Sequence, residues 1–101
     1  MDTLTRKFEA EQLARVAEVL KAIAHPVRLS VLEFLSEYKT LTVNELKEKT
    51  NTEQSLLSNH LIKMKDKGIL RSNRSGKNIY YELVDESILK IFSCMQSCSI
   101  I

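Results

Sequence analysis

The sequence predicts a mainly α-helical domain that carries one small β-hairpin, about five helices with a two-stranded projection. Three observations lead there. Only two glycines and one proline occur in 101 residues, so there are few places to break a helix. Apolar residues recur at helical spacing through most of the chain. In one place the pattern changes to alternation, residues 69–74 and 78–84 on either side of Ser75-Gly76-Lys77, as in two strands joined by a glycine-bearing turn. An apolar share of 44% is ordinary for a globular protein and argues against disorder. The length is that of one domain, taken as residues 1–101.

Taken in order, residues 3–24 read as one long helix, with Leu4, Phe8, Leu13, Val16, Leu20 and Ile23 at helical spacing. So long a solitary helix has more apolar face than a small domain covers, and its Leu4 and Phe8 end is expected to meet a second subunit. His25-Pro26 ends it, because the residue before proline avoids the α region and proline suits the first position of a new helix. His25 is read as the cap of that second helix, which runs to about Ser36 and buries most of Val27, Leu29, Val31, Leu32, Phe34 and Leu35. Residues 37–41 are a short connection.

Thr42 and Glu45 have the spacing of a capping box, so a helix is expected over 43–49, burying Val43 and Leu46. Thr50-Asn51-Thr52 is a turn, with Thr52 or Asn51 as the next cap. The helix over 53–67 buries Leu57, Leu61 and Met64 at i, i+4, i+7, and Gly68 ends it in the left-handed conformation. Its other face carries Gln54, Ser55, Ser58, Asn59 and Ile62, with Lys63 and Lys65 behind. In the hairpin, Ile79, Tyr81 and Leu83 share the face that packs on the helices through Ile69, Ile79 and Tyr81. Asp85 is expected to cap a last helix over 86–98, whose stripe of Ile88, Leu89, Ile91, Phe92 and Met95 again exceeds what one small core needs. Leu89 and Phe92 are therefore assigned, with Leu4 and Phe8, to a homodimer interface.

The net charge of +2 is too mild to diagnose a partner, but its distribution is uneven. Between residues 54 and 81 the bases Lys63, Lys65, Lys67, Arg71, Arg74 and Lys77 face one acid, Asp66, leaving this segment at +5 and the remainder at −3. A basic half on a slightly acidic body fits a polyanionic partner, and equally a solvated lysine-rich face. Small polar groups in the first turn of the 53–67 helix can donate to and accept from base edges in a DNA major groove. Arg74 and Lys77 at the hairpin tip can meet phosphate. Helix, turn, helix and basic hairpin in that order is a winged helix–turn–helix.

At this point the residues resemble a known family. LKAIAHPVRLSVLEFL resembles the LKALADPTRLRILRLL pattern of ArsR-type repressors, TEQSLLSNHLIKMKDKGIL their recognition helix, and RSNRSGKNIYYEL their wing. The similarity runs over 20–83, nearly two thirds of the chain. It implies a homodimeric repressor that binds double-stranded DNA at a palindromic operator through its recognition helix and wing, dimerises by its first and last helices, and is usually released by an effector. Carried over by position, Gln54, Ser55, Ser58 and Asn59 would face the groove, with Arg74 and Lys77 as wing contacts; Lys63, read from the helix face itself, is added to the DNA-binding set. Many relatives have histidine where Asn59 stands.

The sensing chemistry of the family does not carry over. Metal-sensing members often place cysteines in the helix before the turn, where this chain has Leu41-Thr42-Val43-Asn44-Glu45-Leu46; others pair Asp and His in the last helix, where Asp85 stands alone and His25 and His60 lie elsewhere. No metal site and no cofactor are expected. Cys94 and Cys98 stand at i, i+4, and three readings stay open: inert thiols, a redox switch, often between subunits, or a soft-metal site of four thiolates across a two-fold axis. No export signal opens the chain, no apolar run reaches a membrane span of ~18 residues, and two cysteines without such a signal fit a reducing, cytoplasmic setting.

The sequence thus points to a sequence-specific DNA-binding regulator, a repressor released by an effector or by thiol oxidation. The alternative is a winged-helix protein–protein interaction module without DNA binding, in which an apolar patch would replace the polar recognition face. An enzyme finds little support: there is no Cys–His or Ser–His–Asp set, glycine-rich phosphate loop or carboxylate pair.

Overall fold

The computed structural model describes residues 8–101. The chain runs α1 (Ala10–Ile23), α2 (Pro26–Tyr38), β1 (Thr40–Thr42), α3 (Val43–Thr50), α4 (Gln54–Asp66), β2 (Leu70–Ser75) and β3 (Asn78–Leu83), then a 3₁₀ turn (Glu86–Leu89) leading into α5 (Lys90–Gln96). The core gathers one side of the first four helices and of the sheet: Ile23 from α1, Val31, Leu32 and Leu35 from α2, Leu46 from α3, Leu57, Leu61 and Met64 from α4, and Leu41, Leu70, Tyr81 and Leu83 from the strands. Leu57, Leu61 and Met64 are fully buried, as the i, i+4, i+7 spacing requires.

Several boundaries differ from the sequence reading, each for a local reason. Leu4 and the start of the first helix lie outside the described residues. Glu9, in extended conformation, is the N-cap of α1, its N–H donating to Gln12 Oε1 at 2.9 Å, so Phe8 precedes the helix. Helix α2 runs two residues past Ser36 and stops at Lys39, whose φ of 68° is left-handed. The expected connection over 37–41 holds a strand. β1 pairs antiparallel with β3, Leu41 opposite Tyr81, so the sheet has three strands in the order β1-β3-β2. This joint ties the hairpin to the base of α3 and supplies the support that a two-stranded ribbon lacks alone.

The capping box of α3 forms as expected. Glu45 N–H donates to Thr42 Oγ1 at 3.0 Å, and Thr42 N–H donates to Glu45 Oε1 at 2.8 Å. His25 caps α2, its Nδ1 accepting from Val27 N–H at 3.1 Å. The cap of α4 is neither Asn51 nor Thr52. Asn51 is the left-handed C-cap of α3, φ 51°, and Thr52 is buried with its hydroxyl donating to the Thr50 carbonyl at 3.1 Å. Glu53 takes the position instead. Gly68, φ 80°, ends the helix; the Ile69 N–H returns to the Met64 carbonyl at 3.0 Å, closing the last turn. Ser75 pairs with Asn78, leaving Gly76-Lys77 as a two-residue loop with the positive φ on glycine, as in a type II′ turn. Asp85 accepts from Ser87 N–H as a cap, but it caps a 3₁₀ turn, and the α-helical part ends at Gln96, short of Cys98.

Candidate nucleic-acid interface

Helix α4 stands between the core and solvent. Leu57, Leu61 and Met64 point inward, and rotation by one residue in each turn turns Gln54, Ser55, Asn59, Ile62 and Lys63 outward. Ser58 is half-buried at the border of the two faces. The residues singled out in this helix thus occupy one exposed side. Gln54 and Ser58 line a shallow polar cleft of about 260 Å³ together with Thr42, Val43 and Asn44 of the α3 start and with Lys77, Asn78 and Ile79 of the hairpin. The pairing of β1 with β3 creates this cleft, because it brings the hairpin loop to the beginning of both helices. Arg74 and Lys77 are exposed at the tip.

The bases of this half of the chain separate into two groups. Lys67 Nζ is 2.9 Å from Glu18 Oε1, and Arg71 pairs across the sheet with Glu82. Lys63, Lys65, Arg74 and Lys77 form no ion pair among the described residues. Uncompensated positive charge therefore concentrates along α4 and at the hairpin tip, flanking the polar face.

Four residues of this surface escaped the sequence reading. Asn44 and Asn78 enter the cleft through tertiary contacts that no local pattern announces. Leu56 is half exposed on the outer face of α4, an apolar side chain off the buried stripe. Glu53 is exposed, and its carboxylate gathers the first turn. Ser55 Oγ–H donates to it at 2.8 and 2.9 Å, Ser55 N–H at 3.3 Å and Leu56 N–H at 3.2 Å. The Ser55 hydroxyl first, then the two backbone N–H groups, hold this carboxyl below the usual range. Behind the helix His60 is buried, its Nδ1 accepting from Arg28 Nε at 2.9 Å, with its ring centroid 4.3 Å from that of His25. Its Nε2 has no hydrogen-bond partner among the described residues. Burial first, then His25, Arg28 and Lys63, push its pKa down.

The remaining singled-out residues lie on and around α1 and α5. Phe8, Leu13, Val16 and Leu20 form an exposed apolar strip on and just before α1. Leu89 and Phe92 are half-buried and pack partly against the core, and Met95 and Ile101 join Leu20, Ile23 and Phe92 around an apolar hollow of about 350 Å³. Cys94 is exposed on α5 and Cys98 is half-buried beyond its end, both as free thiols. Among the described residues no group of three or more His, Cys, Asp or Glu could hold a metal ion, and no helix is long and apolar enough to cross a membrane.

Residues 25–72, which contain α2, α3, α4 and the start of β2, match the model of the bacterial regulatory protein arsR family. The transcriptional repressor PagR of Bacillus anthracis is 38% identical over 93 residues, 89% of this chain and 93% of that protein. The chain belongs to the arsR family. Solved structures agree with that placement. The PagR crystal structure superposes with a TM-score of 0.75 at 36% identity, over 86% of this chain and 99% of that one. The antimony-specific repressor AntR gives 0.81 at 27% identity, over 93% and 86%. A homodimeric winged helix–turn–helix DNA-binding domain from Mycobacterium bovis, a possible ArsR-family regulator, gives 0.75 at 26%, over 94% and 87%. The chain is accordingly a transcriptional regulator of winged helix–turn–helix fold, and the arsR match covers the two helices that carry the polar face.

Proposed function

We propose that this arsR-family chain is a homodimeric repressor that binds double-stranded DNA at an inverted repeat. The observation that carries the reading is the joint placement of Gln54, Ser55, Ser58 and Asn59 on one side of α4, with Lys63, in no ion pair among the described residues, beside them and the hairpin with Arg74 and Lys77 across a cleft lined by Gln54, Ser58 and Lys77. Such a side can enter a major groove while the wing lies along the backbone. The lysines and arginines supply salt-dependent affinity by releasing counterions, and the polar first turn supplies discrimination. The repressor PagR and the homodimeric DNA-binding domain named above support both halves of the assignment.

Dimerisation uses the strip of α1 with Phe8, and with Leu4 outside the described residues, against the α5 side of a partner, where Leu89 and Phe92 form the edge of the core. Two recognition helices then stand about one turn of B-DNA apart, roughly 34 Å. The protein acts in the cytoplasm, as a single domain. Release from DNA is assigned to an effector or to oxidation of Cys94 and Cys98; Cys94 is accessible for it, and mass spectrometry of the non-reduced dimer before and after mild oxidation reads the outcome.

The function itself is tested by fluorescence anisotropy on duplexes selected from a random pool. Arg74→Ala should weaken binding to every sequence and lower the salt slope by about 1. Gln54→Ala should relax preference at particular bases, by about 1–3 kcal/mol for a bidentate contact. Wild-type protein that selects no duplex, or variants that bind and discriminate as it does, would overturn the assignment. The protein–protein module finds less support, because the exposed side of α4 is mostly polar and flanked by bases that form no ion pair among the described residues.

A further inference from the structure

Resting on the DNA-binding reading above, we propose that Glu53 and Ser55 form an acceptor-only edge that selects a base with an exocyclic amino group, cytosine or adenine, on the strand it meets in each half-site.

A serine hydroxyl ordinarily offers one donor and two lone pairs, so it tolerates any base edge. Here the Ser55 proton is committed to the Glu53 carboxylate at 2.8 and 2.9 Å. What Ser55 can still present outward is lone pairs. An ionised carboxylate likewise has only acceptors, about four lone-pair sites. The Ser55 Oγ–H, shared between both oxygens, and the N–H groups of Ser55 and Leu56 make two contacts on each carboxylate oxygen, so what Glu53 adds outward is negative charge, and the free lone pairs of the edge are those of Ser55 Oγ. In the major groove, cytosine N4 and adenine N6 donate, whereas guanine O6 and N7 and thymine O4 accept. An edge of acceptors is matched by the first pair and repelled by the second.

Capping alone does not account for a glutamate at this position, since Asn, Asp, Ser, Thr and Gly are the favoured N-caps. A carboxylate at the leading end of a groove-entering helix also opposes the phosphate field, which lowers affinity for every sequence. That cost is offset only where an amino group faces it. Glu53 therefore acts on discrimination more than on strength, the signature of a specificity device.

The test compares wild type with Glu53→Ser, which keeps a good N-cap and removes the carboxylate, and with Ser55→Ala, which keeps the carboxylate and its bonds from the Ser55 and Leu56 N–H groups and removes only the hydroxyl. Each protein selects from a pool of duplexes randomised about an inverted repeat, and duplexes differing at the affected base pair are then titrated. Wild type should favour C or A over G or T on one strand at one position per half-site. Glu53→Ser should lose at least about fivefold of that preference, the equivalent of a ~1 kcal/mol base contact, while binding other sequences more tightly. Ser55→Ala should lose part of it. The inference is overturned if both variants keep every wild-type base preference, or if the position they alter prefers G or T in wild type; DNA binding itself survives either result. Failure of wild type to select any duplex is a different outcome, and it removes the DNA-binding reading together with this one.

Discussion

Replacing His60 by asparagine should flatten the acid side of the stability profile. The imidazole is 7% exposed on the inner side of α4. Because Nδ1 accepts from Arg28 Nε at 2.9 Å, the native ring is neutral with its proton on Nε2. Protonating Nδ1 would break that bond and set a second positive charge beside Arg28, with Lys63 and His25 close by. The folded-state pKa therefore lies below the unfolded value of about 6.5, with burial the leading cause. Above about pH 6.5 neither state binds this proton, and the term vanishes. Below it the unfolded chain takes up a proton that the native state refuses, so stability falls as pH falls, by at most ~1.4 kcal/mol per unit. Between pH 7.5 and 5.5 the loss assignable to His60 is up to about 1.4 kcal/mol. Asparagine places an oxygen near the Nδ1 position for Arg28 and does not titrate. Smaller than imidazole, it should cost about 1–2 kcal/mol at pH 7.5. Urea unfolding followed by circular dichroism at both pH values gives the double difference, in which other titrating groups cancel. The gap between wild type and His60→Asn should narrow at pH 5.5. A gap constant to within about 0.3 kcal/mol would refute the account of a buried neutral histidine.

Three further outcomes are expected. Leu61→Ala, at a fully buried position in the core, should cost about 2–5 kcal/mol, a large share of the ~5–15 kcal/mol typical of a domain, and should lower the urea midpoint without changing its slope. Lys39→Gly should stabilise by about 1 kcal/mol and raise Tm by several degrees in a thermal scan, because a left-handed φ of 68° strains a side-chain-bearing residue; the exposed Lys39–Glu86 pair at 3.8 Å that it removes contributes little. Leu13→Asp places a charge on the apolar strip of α1, where Leu13 is 52% exposed. It should leave the circular dichroism spectrum intact while shifting the dimer toward monomer by tenfold or more in light scattering; an unchanged mass would move the interface elsewhere.

The amino-acid order determined a good deal by itself. The inward stripe of Leu57, Leu61 and Met64, the Thr42–Glu45 box, the Pro26 start and the glycine turn each depend on residues within a few positions of one another. Backbone preference and side-chain period are local physics, so they were legible, and the outward polar side of α4 followed from the stripe by geometry alone. Other features needed partners far along the chain. Thr40-Leu41-Thr42 is too short to show a period, and it becomes a strand only because β3 offers it a hydrogen-bonding edge forty residues later. The cleft joining Asn44, Gln54 and Asn78 exists because of that pairing. Which bases are paired was likewise undecided until Lys67 met Glu18 and Arg71 met Glu82. His60 sits at a position compatible with either face, and only the packing of α2 against α4 buried it beside Arg28. Patterns within a turn or two dictate local conformation; burial, charge pairing and the shape of a binding surface are set by contacts between distant segments, which exist only once the chain has folded.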